Sequence, residues 1–271
     1  MRLNISIVLF KPKKDQLNKT ISSLNFIKNY IDTVFLIDNS PSENKFYKNL
    51  SNDFFNFKYI YNLKNIGYGA AHNIAIRISS RQKLINYHLV LNPDIYFDYD
   101  ICKELFIIAL SDNKITNIMP RILNPDSSEQ YLCKRLPTPI DKFCRRFFPY
   151  LYNDNNYVLK NLDKTKIYNV PSLSGCFMFL NVKNVVKLNL FDERFFMYEE
   201  DTDLSRKIYY NFKNIYLPRV FVYHSYEKGS YKKLRLLLFH IKSIFLYFSK
   251  YGWIFDSYRK KINKIDDYEY K

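Results

Sequence analysis

Short apolar runs recur along the first third of the chain, each followed by polar, turn-forming residues and then by a stretch of helical spacing. Ile5-Ser6-Ile7-Val8-Leu9-Phe10 predicts a strand, and Asp15 to about Tyr30 a mainly helical stretch. Thr33 to Ile37 predicts a second strand, closed by Asp38-Asn39-Ser40-Pro41, whose side chains bond nearby backbone or fix φ. Phe57 to Tyr61 predicts a third strand, Ala70 to Ser79 a helix, and Tyr87 to Leu91 a fourth strand. Strand and helix in alternation favour a mostly parallel, Rossmann-like sheet with helices on both faces, because parallel neighbours need crossover connections. Such sheets bind ligands beyond the carboxyl ends of their strands. The residues to inspect are therefore Lys11, Asp38-Asn39-Ser40, Asn62 to Tyr68, and Asn92-Pro93-Asp94.

The second half is less regular. Arg121 to Tyr152 holds Pro125, Pro137, Pro139 and Pro149 and predicts long loops with one short helix. Ser174 to Asn181 predicts a strand, Asp201 to Asn211 a helix, and Ile215 to His224 two short strands broken near Pro218. From Lys232 to Phe255 a broad apolar surface, including Leu234, Leu238, Ile241, Phe245 and Phe248, faces a narrow polar stripe of Arg235, Lys242 and Ser249. This predicts an amphipathic helix whose apolar side covers either a membrane surface or the rest of the protein.

Composition narrows the class. A chain of 271 residues, 47% of them hydrophobic, builds a full core and is not disordered. The net charge of +16 attracts polyanions, whether nucleic acid, anionic lipid or phosphorylated substrate. Between Lys228 and Lys264 Asp256 is the only acid among ten basic residues. Cys102, Cys133, Cys144 and Cys176 form no C-x-x-C pair and read as reduced thiols of a cytoplasmic protein. Neither a signal peptide nor an apolar run of membrane-spanning length is expected.

Four constellations could carry chemistry. Asn92-Pro93-Asp94 ends an apolar strand, so its carboxylate could hold a divalent ion that also binds a diphosphate; the tripeptide is equally good turn chemistry. Phe191 to Leu204 interleaves Asp192, Glu193, Glu199, Glu200, Asp201 and Asp203 with aromatics just before a helix. Acids there complement the helix dipole, but capping does not account for acids on both sides of the start. His224 ends a strand and suits a metal ligand or a structural hydrogen bond. Asn65-Ile66-Gly67-Tyr68-Gly69-Ala70-Ala71-His72-Asn73 suggests a dinucleotide fingerprint, yet His72 replaces the third glycine and the loop follows the third strand. The acidic segment also argues against a nucleic-acid-binding protein, since it would repel phosphates, and no zinc-finger or RNA-binding motif is present.

The order of these pieces resembles the glycosyltransferase family 2 enzymes of GT-A fold, and among them the rhamnosyltransferase-like members of bacterial surface polysaccharide (O-antigen) synthesis. The resemblance runs from about Asn4 to Tyr226, more loosely through Lys228-Gly229-Ser230-Tyr231-Lys232 and Lys250-Tyr251-Gly252-Trp253. It implies a GT-A domain over 1–226, with a nucleotide-sugar half to about 115 and an acceptor half from about 116. A basic amphipathic helical extension over 227–271 follows. It also implies that Asp38, Phe10, Lys11, Asn65, Gly67, Asn73, Asn92 and Asp94 surround the donor. Asp94 and His224 would bind Mg²⁺ or Mn²⁺, Asp201 would act as general base, and Gly175 and Glu200 would lie on the acceptor side. Two departures stand out: Asn92 replaces the first Asp of the metal motif, and Lys11 occupies a position where Asn is frequent. The implied reaction is inverting transfer of L-rhamnose from dTDP-rhamnose, or of a hexose from a UDP-hexose, onto a polyprenyl-diphosphate-linked saccharide. The enzyme would sit peripherally on anionic lipid at the inner face of the cell membrane.

Overall fold

In the computed structural model, which describes residues 1–50, 52, 54–148, 150–225 and 234–270, the strands form one sheet. Lys228-Gly229-Ser230-Tyr231-Lys232 lies outside the described residues. The strands are β1 (Arg2–Leu9), β2 (Ile31–Asp38), β3 (Asn56–Tyr61), β4 (Ile85–Leu91), β5 (Ile95–Tyr96), β6 (Ile115–Leu123), β7 (Glu129–Gln130), β8 (Tyr168–Asn169), β9 (Phe177–Asn181) and β10 (Lys213–His224). The helices are α1 (Lys14–Ser23), α2 (Lys45–Lys48), α3 (Tyr68–Ser80), α4 (Cys102–Ser111), α5 (Pro139–Phe147), α6 (Val182–Lys187), α7 (Glu200–Asn211), α8 (Leu234–Tyr251) and α9 (Ser257–Ile262). The sheet order is β3-β2-β1-β4-β9-β6-β10-β5, with β7 on β6 and β8 on β10. Pairings among β1 to β4, and between β6 and β10, are parallel; β9 runs antiparallel to β4 and β6.

β1 shows why the fold starts as it does. Every residue from Leu3 to Leu9 is buried, as expected of a parallel strand covered on both faces. Its two polar members are tied to α3 and β4. Asn4 donates to Ser79 (2.9 Å), and the Ser6 hydroxyl lies 2.7 Å from His72 and 2.8 Å from His88. Burial drives both imidazoles down, His88 to about 3, so they stay neutral. His72 is thus a pin between helix and sheet.

The structure departs from the pattern in two places. The helix expected from Asp15 to Tyr30 ends at Ser23 and tightens into a 3-10 segment, Leu24–Tyr30. Leu24 and Ile27 are both buried, and the three-residue turn sets such positions on one face. Ile215 to His224 lies in one strand, not two: Leu217 pairs with Pro120 and Phe221 with Arg121, so Pro218, which has no N–H, sits in a bulge.

The carboxyl ends of β1, β2, β3 and β4 share one edge. Leu9 lies beside Asp38, Asp38 beside Tyr61, and Ile7 beside Leu91. α8 packs on the second half through Tyr247 and Phe248, which bury against Phe195, and through Ser243, which donates to Met197 O (2.8 Å). Beyond it, Arg206 forms a buried two-pronged pair with Asp256 (2.6 and 2.9 Å). The C-terminal segment is therefore fastened to α7, while Leu234, Leu238 and Phe245 remain exposed.

Candidate active site

The Asn92-Pro93-Asp94 turn connects β4 to β5, and β5 pairs antiparallel with β10 so that Ile95 faces His224. That register, with Ser225 N–H donating to Asp94 O (3.0 Å), brings Asp94 against His224. Asp94 Oδ1 lies 3.3 Å from His224 Nε2, is buried, and accepts no hydrogen bond among the described residues. His224 Nδ1 lies 3.0 Å from Gln130 Oε1, an amide oxygen that can only accept, so the proton of the neutral ring belongs on Nδ1. Gln130 is itself held by Asn124 (2.7 Å) and His224 O (3.0 Å). In that tautomer Nε2 turns its lone pair toward a carboxylate oxygen, an arrangement that a cation would complete. The two donors fit a divalent ion. Among the described residues no group of three or more His, Cys, Asp or Glu could hold one, so water or a ligand oxygen must supply the other positions.

Asp201 lies in the first turn of α7. Its Oδ2 accepts the Gly175 N–H (2.8 Å) and its Oδ1 the Thr202 N–H (2.7 Å). A side chain on Gly175 would press on Asp201, its Cβ standing 3.0 Å from the Asp201 Cβ. Tyr68 joins this group to the first. Its hydroxyl lies 2.9 Å from Asn92 Oδ1 and 2.8 Å from Gly175 O, and Asn92 N–H donates to Cys176 O (2.9 Å). Burial holds the Tyr68 phenol well above its ordinary range, with the charges of Asp201 and Asp94 adding to the effect. The two acidic motifs, distant in sequence, thus meet across Tyr68. No feature of the sequence marked that tyrosine beyond its place in the glycine loop, and Gln130 was equally unmarked.

Three consecutive acids lead into α7 with different roles. Tyr198 and Glu199 both adopt left-handed backbone, with φ of 69° and 63°. Glu199 is locked there: its Oε1 lies 2.7 Å from Lys142 Nζ and 3.5 Å from His240 Nε2. Burial would raise this carboxyl, but Lys142 and His240 hold it down to about 2. Glu200 goes the other way, pushed well above the carboxylate range by burial and then by Asp201. Asp203, buried, is bound by Lys250 (2.5 Å) and the Tyr251 hydroxyl (2.7 Å), which ties α8 to α7.

At the donor edge, Lys11 takes a positive φ of 48° and donates its N–H to Ser40 Oγ (2.9 Å), and Phe10 is exposed. Asp38 is buried; Ser40 N–H (2.8 Å) and the Tyr59 hydroxyl (2.6 Å) bond one oxygen each, and each oxygen retains a second lone pair. Asn65 Oδ1 accepts from Gly67 N–H (2.9 Å) and Asn39 Nδ2 (3.2 Å). Two positions expected beside the donor make close contacts within this chain. Asn73 is fully buried and turned inward, its amide donating to Phe191 O (2.9 Å) and its carbonyl accepting Phe191 N–H (3.1 Å). Gly67 packs closely on the acidic segment: a Cβ there would lie 2.6 Å from Phe196 O, and one on Gly69 2.8 Å from Phe191 Cβ. Loop and acidic segment interlock, and Tyr68 N–H donates to Phe196 O (2.9 Å).

Cys176, inside the cleft, is pushed up to about 12 by burial and so is no nucleophile; all four cysteines are unpaired thiols.

No family model matches the chain, and no curated protein matches it. Solved structures do. GalNAc-T7, crystallised with UDP, GalNAc and Mn²⁺, superposes with a TM-score of 0.62 at 19% identity, over 84% of this chain and 44% of that one. The 1-349 fragment of S. aureus TarS gives 0.54 at 14% identity, over 83% of this chain and 60% of that one. Its complex with UDP-GlcNAc gives 0.54 at 15%, over 84% and 60%. The chain thus spans roughly half the length of the structures it matches. What they share with it is the fold: a mostly parallel sheet flanked by helices, the GT-A arrangement of glycosyltransferases.

Proposed function

We propose that this chain is an inverting glycosyltransferase that moves a sugar from a nucleoside diphosphate sugar to an acceptor hydroxyl. One observation carries the reading: at the carboxyl edge of a GT-A sheet the Tyr68 hydroxyl links Asn92, two residues before the Asp94–His224 pair, to Gly175, whose N–H holds Asp201. Asp201, fixed by two backbone N–H groups, takes the acceptor proton as that oxygen bonds to the anomeric carbon. The bond from that carbon to the diphosphate breaks and its electron pair leaves with the nucleotide. A positioned base contributes about 10²- to 10⁴-fold. Glu200, kept neutral, does not compete for the proton. A divalent ion, Mg²⁺ or Mn²⁺, held by Asp94 and His224 would supply positive charge for the diphosphate. With only two protein donors, and Asn92 in place of an acid, its affinity should depend on the donor's phosphates.

The donor assignment has two forms. The order of motifs favours dTDP-L-rhamnose; the UDP and UDP-GlcNAc bound by the structural neighbours favour a UDP-hexose. The acceptor we favour is a polyprenyl-diphosphate-linked saccharide. No described helix is long and apolar enough to cross a membrane. Peripheral contact with anionic lipid at the inner face of the cell membrane is supported by the exposed Leu234, Leu238 and Phe245 beside Arg235 and Lys242 on α8. The test is a panel of sugar nucleotides with Mg²⁺ or Mn²⁺. We expect release of one nucleoside diphosphate and a product of inverted anomeric configuration. Failure to bind or consume any sugar nucleotide would end the proposal.

A further inference from the structure

Lys134 occupies a place that the transfer chemistry above leaves unused. Its backbone pairs with Ser172 (Lys134 N–H to Ser172 O 2.9 Å, Ser172 N–H to Lys134 O 3.1 Å), three residues before the glycine that holds Asp201. On its other side it bridges to Val158, the neighbour of Tyr157. α5 sends Lys142 and Arg145, one turn apart, over the Tyr157 ring at 5.8 and 5.2 Å. Lys134 and Lys142 thus lie within electrostatic reach of the proposed base, and Arg145 within reach of Lys134.

They are unequally matched. Lys142 has Glu199. Arg145 stands 3.8 Å from Asp154, which Lys160 already holds at 2.6 Å. The Lys134 ammonium has no hydrogen bond or ion pair among the described residues, Asp201 and Glu199 acting on it only from beyond contact. Its pKa falls to about 8, through burial first and then the charges of Lys142 and Arg145, with Asp201 and Glu199 acting in the opposite sense. A half-buried ammonium crowded by like charges is costly until an anion joins it. The donor's proposed edge lies at β1, β2 and Asp94, whereas the strand partner of Lys134, Ser172, leads directly to Gly175 and Asp201, where the acceptor hydroxyl would be deprotonated.

We propose that Lys134, with Arg145 beside it, seats an anionic group of the acceptor, a phosphate or carboxylate, next to the hydroxyl that Asp201 deprotonates. This rests on the sugar-transfer reading and names the acceptor's chemical class. The net charge of +16 fits an acidic substrate.

The test compares two acceptors, a glycoside and the same glycoside carrying a phosphate monoester, in the wild type, Lys134→Gln and Lys134→Arg. Wild type should prefer the phosphorylated acceptor. Lys134→Gln should lower the ratio of kcat/KM values, phosphorylated over neutral, by about tenfold, the scale of one charge-assisted hydrogen bond, and Lys134→Arg should largely restore it. A loss shared equally by both acceptors would overturn the proposal in favour of a structural role. A raised donor KM with an unchanged ratio would assign Lys134 to the donor and overturn it too. A second measurement separates this idea from the reading beneath it: calorimetric titration with inorganic phosphate. Phosphate binding that Lys134→Gln abolishes supports the anion site even if no sugar is transferred; robust transfer without such binding or acceptor preference sinks the anion site and spares the enzyme.

Discussion

The two acidic motifs of the cleft are finished in opposite ways. Asp94 keeps a buried oxygen that accepts no hydrogen bond among the described residues, set against an imidazole. Asp201 has both oxygens bonded by backbone N–H groups. An unsatisfied buried carboxylate oxygen is expensive, so it persists where something else completes it. A carboxylate bonded by neutral N–H groups is oriented without being bound in a direct ion pair, as suits a base. The difference suits the proposed ion site on one side and the proposed base on the other, and each prediction below bears on it.

The largest effect belongs to Asp201→Asn. Rate should fall by about 10² to 10⁴ while donor affinity, read by calorimetry, stays within a few-fold. Retained transfer would move the base elsewhere. Next comes Asp94→Asn, which leaves a neutral oxygen facing His224. We expect a loss of about 10² to 10³, the size of a lost electrostatic contact to the leaving charge, and EDTA treatment of the wild type should reproduce it. If the chelator has no effect and Asp94→Asn stays active, the two motifs are not the complementary pair described above.

A third prediction concerns the frame around Asp201. Lys142→Met leaves Glu199 as a buried charge without its closest cation, His240 standing 3.5 Å away. Removing one partner of a buried pair costs about 3 kcal/mol, to be read from urea unfolding. The loss should be smaller at low pH, because Glu199, held down to about 2 when paired, can then take up a proton. Its depressed value means that this pair stabilises the fold above the ordinary carboxylate range and loses that contribution as pH falls toward 2.

How much of this could be read from the sequence follows from range. β1, β2, β3 and β4 were legible because each is a short apolar run bounded by turn chemistry. α4 and β6 were not, since Phe106-Ile107-Ile108-Ala109-Leu110 and Ile115 to Leu123 are apolar stretches whose period does not separate helix from strand. Asp94, Asp201 and His224 announced themselves by residue type at strand and helix ends. Tyr68, Gln130 and Lys134 did not, because their importance lies in contacts with residues far along the chain. Gly67 and Asn73 were visible, but their packing was not, for the same reason: the partner they meet, Phe191 to Phe196, is more than a hundred positions away.

The smallest effect is the most discriminating for the base. Glu200 and Asp201 are adjacent, and the fold separates them by burying one and hydrogen-bonding the other. Since the folded protein raises the Glu200 pKa, both states carry the proton below the unfolded value of about 4.3, and Glu200 then costs nothing. As pH climbs past that point the unfolded chain ionises while the folded one resists, and stability is lost up to the raised folded value. Glu200→Gln copies the protonated form permanently. Its Tm should therefore exceed that of the wild type at pH 8, and the gap should close as the buffer approaches pH 4. Transfer should survive, because the side chain next to Asp201 was already neutral. If the variant is instead less stable at pH 8, Glu200 is ionised in the native protein, and the division between a neutral acid and a charged base at the start of α7 does not hold.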